Sequence, residues 1–298
     1  MKKLFICALI LTLSTFSYAE DGIASALQKA FNYKPDAKLA QIRQEAAKHL
    51  QEEINAKTLE SFTTGSNEEA LKKFYREVTV SIQITIPKTD FDGNEYEDII
   101  YCSGVYVEPG LVVTHDNSLM IRPYKKYEIK IIFHNGLTIP ANQVFLTPTR
   151  VSHYSFFDLQ PIFELRPELK NMKKAIIGYL NTSESFFRII KTPAPVKVNY
   201  VYTDKNDFKV LMNRSIQDDE EFGDRGRFLL DIRQQKTTGD PVFYGKLLIG
   251  MNRTGNGGSA FDFGITGIER PEIASFNSHT LSSLRKSGLN PVMYKIYQ

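Results

Sequence analysis

The hydrophobic period of the chain changes once, near residue 78. Upstream of that point apolar residues return every three to four positions. Ile23, Leu27, Ala30 and Phe31 form one short face, and Pro35 closes it. Residues 36–62, DAKLAQIRQEAAKHLQEEINAKTLESF, then run without Pro or Gly. Leu39, Ile42, Ala46, Leu50 and Ile54 recur at helical spacing, with Lys, Gln, Glu and Arg on the other face. This pattern predicts helix over 20–62. Its narrow apolar stripe must bury itself on the domain behind it or on a partner chain. TTGSN interrupts the pattern, and Ser66 with Glu69 has the spacing of a capping box for a short helix, Glu68–Tyr75.

Downstream the period is two. VTVSIQITIP alternates apolar and polar residues, as a half-buried strand does. DFDGNEYED supplies an Asp-Gly turn, and the chain returns through IIYCSGVYVEPGLVVTHD. YEIKIIF and LTIPANQVFL flank an Asn-Gly turn and read as a second hairpin. PVKVNYVYT, FKVLMNRSI, RFLLDIRQ and KLLIGMNR are further strand-like runs. Many short strands separated by turns predict a barrel or a sandwich. The segment from Pro271 to Leu284 reads as helix, and GNGGSA at 255–260 reads as a loop.

Composition adds boundaries to this picture. With 298 residues, 42% hydrophobic and 24% charged, the chain is of ordinary globular type. Its start, MKKLFICALILTLSTFSYA, has two lysines, a short apolar run and small residues before Glu20. That predicts a signal peptide over 1–19, cleaved after Ala19, and a periplasmic or secreted product. The expected division is a signal at 1–19, a helical extension at 20–76 and a β domain at 77–298. No later stretch is apolar enough for a stable membrane span. A formal net charge of +3, two of whose cations lie in the signal, gives no footprint for nucleic acid. Cys102 is the only thiol beyond the signal, so no internal disulfide forms, and it reads as a buried filler. The five His show no metal spacing, and the acidic run DDEEFGD lacks calcium-loop spacing, so neither metal nor cofactor is expected.

Three segments in order carry a resemblance. They are CSGVYVEPGLVVTHDNSL at 102–119, the hairpin IKIIFHNGLTIPANQVFLTP with FFDLQPIFEL ending at 165, and FLLDIRQQKTTGDPVFYGKLLIGMN at 228–252. Together they resemble a trypsin-like serine protease, most closely the disulfide-poor bacterial Deg/HtrA-like branch. Ser103-Gly104, Pro109-Gly110 and Thr114 match its first motif, Asn135-Gly136, Pro140-Ala141 and Asp158-Leu159 its second, and Gly239, Pro241-Val242 and Ile249-Gly250 its third. The resemblance implies an all-β fold, a trypsin-like double β-barrel, preceded here by a helical extension.

It also implies where the chemistry should sit, and that the chemistry is degenerate. A hydroxyl nucleophile needs a base that titrates near neutrality, oriented by an acid. The base position falls on Asn117, an amide. The acid position falls on Asp158. The nucleophile position falls on Thr238, and the oxyanion Gly two residues earlier is Lys236. Asp240 stands where the family has a second Gly. The expected function is therefore an exported pseudoprotease, a binding or assembly module that takes a protein or peptide in the inter-barrel cleft. An active peptidase with Thr238 as nucleophile and His115 as base is the alternative. A structural envelope protein that forms a homo-oligomer through residues 36–61 is a third reading.

Overall fold

In a computed structural model of the chain, residues 37–115, 128–141, 149–151, 154–180, 196–204, 207–218, 227–230, 239–252, 272–276, 282 and 289–296 are described. The segment 1–36, with the expected signal and the first apolar face, lies outside them.

The first sheet begins with β1 (Thr79–Thr89) and β2 (Glu95–Val107), which pair antiparallel along their whole length. Val80, Ile82, Ile84 and Ile86 all turn inward, the period-two pattern realised as one buried face. Next come β3 (Leu111–His115), β4 (Glu128–Phe133), β5 (Thr138–Pro140), β6 (Thr149–Val151) and β7 (Tyr154–Asp158). Their order is β5-β4-β1-β2-β3-β7-β6. The two ends of this order, β5 and β6, are neighbours in sequence, as a sheet curled into a barrel requires. Val80, Ile82, Ile84, Tyr106, Phe133 and Phe157 are among the residues filling it.

The second sheet contains β8 (Ile176–Leu180), β9 (Lys197–Asp204), β10 (Asp207–Asp218), β11 (Arg227–Leu230), β12 (Pro241–Tyr244), β13 (Leu247–Asn252), β14 (Glu272–Ser275) and β15 (Met293–Ile296). Its order is β12-β9-β10-β11-β14-β13-β8-β15, with β12 also pairing β13. That extra pairing closes a ring of β9, β10, β11, β14, β13 and β12. The first sheet runs β1, β2, β3, β7, β6 and β5, β4 in the same sense. One Greek-key order used twice is the trypsin-like double β-barrel, and the fold is all-β with few helices. A third cluster joins the barrels, with Val105, Leu111, Val113 and Phe156 meeting Val201, Phe243, Leu248 and Met251.

Among the described residues three helices precede β1: α1 (Ala37–Asn55), α2 (Glu60–Thr63) and α3 (Glu68–Val78). They are built into the domain. Leu50, Ile54, Leu59 and Phe62 pack into the core of the second barrel, and Tyr75 and Val78 into the cluster between barrels. The buried stripe of α1 differs from the expected one. Ala47 is buried and Ile42 is 52% exposed. The reason is Gln51, whose Nε2 donates to the Met293 carbonyl at 2.6 Å while its Oε1 accepts from the Met293 N–H at 3.0 Å. A polar side chain at the centre of the contact rotates the docking face away from the purely apolar stripe. The same two bonds satisfy β15, the last strand in the sheet order and thus an edge that would otherwise invite pairing.

Two smaller differences have similar causes. The cap of α3 is Asn67, whose side chain accepts from the Ala70 N–H at 2.8 Å, because the helix starts at Glu68 and the cap directly precedes it. Residues 272–275 were expected to be helical and are instead β14. The slot between β11 and β13 admits only a strand, and Ile273 and Ala274 pair on both sides there.

Candidate functional site

The first and third of the segments that carry the resemblance meet at one turn, Gly239-Asp240. Gly239 has φ +87, and a Cβ on it would lie 2.3 Å from the Ser103 carbonyl oxygen and 2.7 Å from Thr114 Oγ1. Only glycine fits there. The Gly239 N–H donates to Asn252 O at 2.9 Å, and the Asn252 N–H donates to Asp240 O at 2.8 Å, which fastens the turn to β13. Thr114 Oγ1 donates to Ser103 O at 2.6 Å and fixes β3 against β2 beside it.

Asp240 is wholly buried. Its Oδ1 accepts from Ser103 Oγ at 2.7 Å, and its Oδ2 accepts from the Tyr200 hydroxyl at 2.8 Å. Ser103 belongs to the first barrel and Tyr200 to the second, so the carboxylate ties the barrels together beside the Gly239-Asp240 turn. Burial, and then the Asp240 charge, hold the Tyr200 hydroxyl well above its ordinary range, which keeps it a donor. Sequence reasoning saw Asp240 only as a departure from Gly. The usable signal was a carboxylate inside an apolar frame, KTTGDPVFYGKLLIG, which must find donors if it is to be buried.

Of the expected site residues, Asp158 and His115 lie among the described residues. Asn117 and Thr238, with Lys236, lie outside them. His115 ends β3 and is completely buried, opposite Tyr154 in the ladder. Its ring meets Tyr154 edge-on at 6.0 Å, and Tyr154 stacks on Phe276 at 4.2 Å. Adjacent side chains of a strand point to opposite faces. The Thr114 side chain faces Gly239, so by strand alternation His115 points to the face away from the Gly239 turn.

Asp158 sits at the other end of the same ladder, opposite Leu111. Four residues of strand, about 13 Å, separate its level from that of His115. Its Oδ1 accepts from the Gln160 N–H at 3.0 Å. Burial raises its carboxyl above the usual range, against the hydrogen bonds of Gln160 and the charge of Arg43. Asp158 thus stabilises the turn after β7 and does not orient His115. The apolar run before it carries the physical reason: Tyr154 to Phe157 fill the strand, so the carboxylate closes β7 rather than opening it.

The chemistry available at Gly239-Asp240 is that of a structural anchor. There a buried carboxylate that accepts from hydroxyls of both barrels holds the turn. Among the described residues no cluster of three His, Cys, Asp or Glu side chains is arranged to hold a metal ion, and no helix is long and apolar enough to cross a membrane.

The fold and this turn define the chain as a trypsin-like double β-barrel. No family model matches it, and no curated protein matches it. Among solved structures it is similar to the scabies mite inactivated protease paralogue S-I1, at 12% identity and TM-score 0.42 over 75% of this chain and 98% of that one. An inactive form of Rv3671c from M. tuberculosis matches at 12% identity and TM-score 0.41, over 76% and 98%. The thermostable serine protease AL20 from an extremophilic microorganism matches at 11% and 0.42, over 70% and 95%.

Proposed function

We propose that the chain is an exported pseudoprotease, a non-catalytic module that binds a protein or peptide partner with the trypsin-like scaffold. The observation that supports this reading is the placement of His115. It is the one histidine near the nucleophile turn in the described residues, and it is fully buried on the face turned away from Gly239. A base that takes a hydroxyl proton has to lie within about 3 Å of that hydroxyl. Asp158 is a strand's length away and caps a turn. Asn117 at the base position cannot accept and hold a proton. Export rests on the leader-like residues 1–19.

The test is turnover of casein and labelling by a fluorophosphonate probe, with wild type beside Thr238→Ala and His115→Ala. No turnover above background is expected from any of the three, and His115→Ala should lower the melting temperature because it empties a core position. Loss of general-base help alone is worth about 10²–10⁴-fold. Turnover by the wild type that vanishes in both variants while circular dichroism shows both still folded would overturn this reading in favour of an active peptidase with His115 as base.

A further inference from the structure

The β1–β2 hairpin reaches well beyond its barrel. The two strands pair out to Thr89 and Glu95. β4 stops pairing with β1 at Thr85, and β3 meets β2 only from Val105 to Val107. Among the described residues, 86–99 therefore form a two-stranded ribbon without a neighbouring strand. Asp90 fixes its tip. Its Oδ1 accepts from the N–H groups of Asp92 at 2.9 Å and Asn94 at 2.8 Å, and its Oδ2 accepts from Asn94 Nδ2 at 3.0 Å.

The two edges of this ribbon differ. The Asp90 N–H donates to Asn94 O at 3.0 Å, and antiparallel pairs alternate between bonded and non-bonded. Even-numbered residues of the ribbon therefore bond across it, and odd-numbered ones turn their N–H and C=O outward. Two observations agree with this parity. Ser103 O, at an odd position of β2, is turned towards β3, where Thr114 Oγ1 donates to it. Pro87, which has no N–H to give, stands opposite Glu97 in a non-bonded pair. Pro87 thus blunts the outer edge of β1. The outer edge of β2 has no such guard. Glu95, Glu97 and Ile99 are exposed and turn their backbone groups outward, with no strand beside them among the described residues. An unguarded edge is a template for a further strand, and a pre-formed one lowers the ordering cost of docking.

The side chains on that edge select the strand. Glu95, Glu97 and Ile99 share one face of the ribbon, because strand residues alternate. Their partners across the ribbon are Thr89, Pro87 and Thr85, none of them cationic. Lys88 is on the opposite face, where it pairs with Asp98. Two copies joined edge to edge would bring these glutamates together, and like charges side by side oppose pairing. A strand with Lys or Arg at alternate positions and an apolar residue beside Ile99 matches the edge.

We propose that the outer edge of β2 over residues 95–99 docks an extended basic segment of a partner protein, added as a further antiparallel strand. The inference builds on the binding role proposed above. Its test reads peptide binding at an edge that ends about 13 Å of strand before Ser103, so its failure leaves the question of catalysis to the turnover assay.

The probe is a fluorescein-labelled peptide, Thr-Val-Thr-Lys-Thr-Lys-Thr, whose Val and two Lys stand opposite Ile99, Glu97 and Glu95. Anisotropy with the purified chain should show binding with a Kd below about 1 mM, and amide exchange over 95–99 should slow in its presence. N-methylation at the Val and both Lys removes the N–H groups aimed at β2 and should abolish binding. N-methylation at the two intervening Thr should not. Glu97→Pro deletes an outward N–H without touching a bond to β1, and should weaken binding about tenfold or more with an unchanged melting temperature. Glu95→Lys with Glu97→Lys keeps every backbone group and should switch preference to the peptide with Glu in place of Lys. No binding up to about 1 mM, binding indifferent to N-methylation, or binding with no change of preference in the double lysine variant would overturn the proposal. So would a dimer in sedimentation velocity that Glu97→Pro dissolves, which would assign the edge to a second copy.

Discussion

Asp240 has the largest consequence of any single residue in the described site. It occupies a position where the resemblance leads one to expect a residue with no side chain, and its two oxygens take hydroxyl donors from different barrels. An unsatisfied buried polar group costs about 1–3 kcal/mol, so Asp240→Ala should destabilise by at least about 2 kcal/mol. Asp240→Asn keeps one carbonyl acceptor and should cost less. Denaturant melts of the two variants provide the check, and equal melts for wild type and Asp240→Ala would mean the anchor contributes nothing. Asp240→Gly restores the residue type of the resemblance but removes the acceptor shared by Ser103 and Tyr200.

At the scale of elements, α1 is a structural part of the second barrel. Ile54 is 3% exposed and packs among Val198, Tyr200, Leu247 and Ile249, and Gln51 seals the edge of β15. Ile54→Ala should cost about 2–4 kcal/mol, by lost transfer energy and a residual cavity. Ile42→Asp, on the exposed side, should stay within about 0.5 kcal/mol. Thermal melts that rank the two variants the other way would place the docking face where the apolar stripe alone puts it. The neighbouring α2 is held as firmly. The Lys246 N–H donates to Phe62 O at 3.0 Å, and the hairpin turn at Gly245, φ +57, passes so close to Phe62 that a Cβ would meet its carbonyl at 2.2 Å.

For the whole molecule, the cluster between the barrels decides how the chain unfolds. It draws on both sheets and on Tyr75, which stacks on Phe243 at 4.6 Å and donates its hydroxyl to Gly245 O at 2.6 Å. Neither barrel can lose its wall of this cluster without exposing the other's. Calorimetry should show one transition. Deleting residues 37–62 should lower that transition as a unit, since Ile54 and Phe62 alone contribute about 1.5–3 kcal/mol each by burial. Two separated transitions, or an unshifted single one after the deletion, would show that the barrels are independent and that the helices are a tether.

The sequence alone determined the period change at residue 78, the strands VTVSIQITIP and YEIKIIF, the turns at Asp92-Gly93 and Asn135-Gly136, and a barrel-or-sandwich class. These follow from local alternation and turn chemistry, which adjacent residues carry by themselves. Gly239 was marked only by the resemblance, as a matched position of its third motif. Only the tertiary structure decided that α1 docks through Ala47, Gln51 and Ile54, that 272–275 enter the second barrel as β14, and that His115 and Asp158 stand at opposite ends of one ladder. It alone joined Ser103, Tyr200 and Asp240. Those outcomes depend on which strand lies beside which and in what register, and pairings between residues tens to hundreds of positions apart leave no trace in a local pattern. A buried carboxylate shows in the sequence only as a charge, and its donors become visible when the barrels close around it.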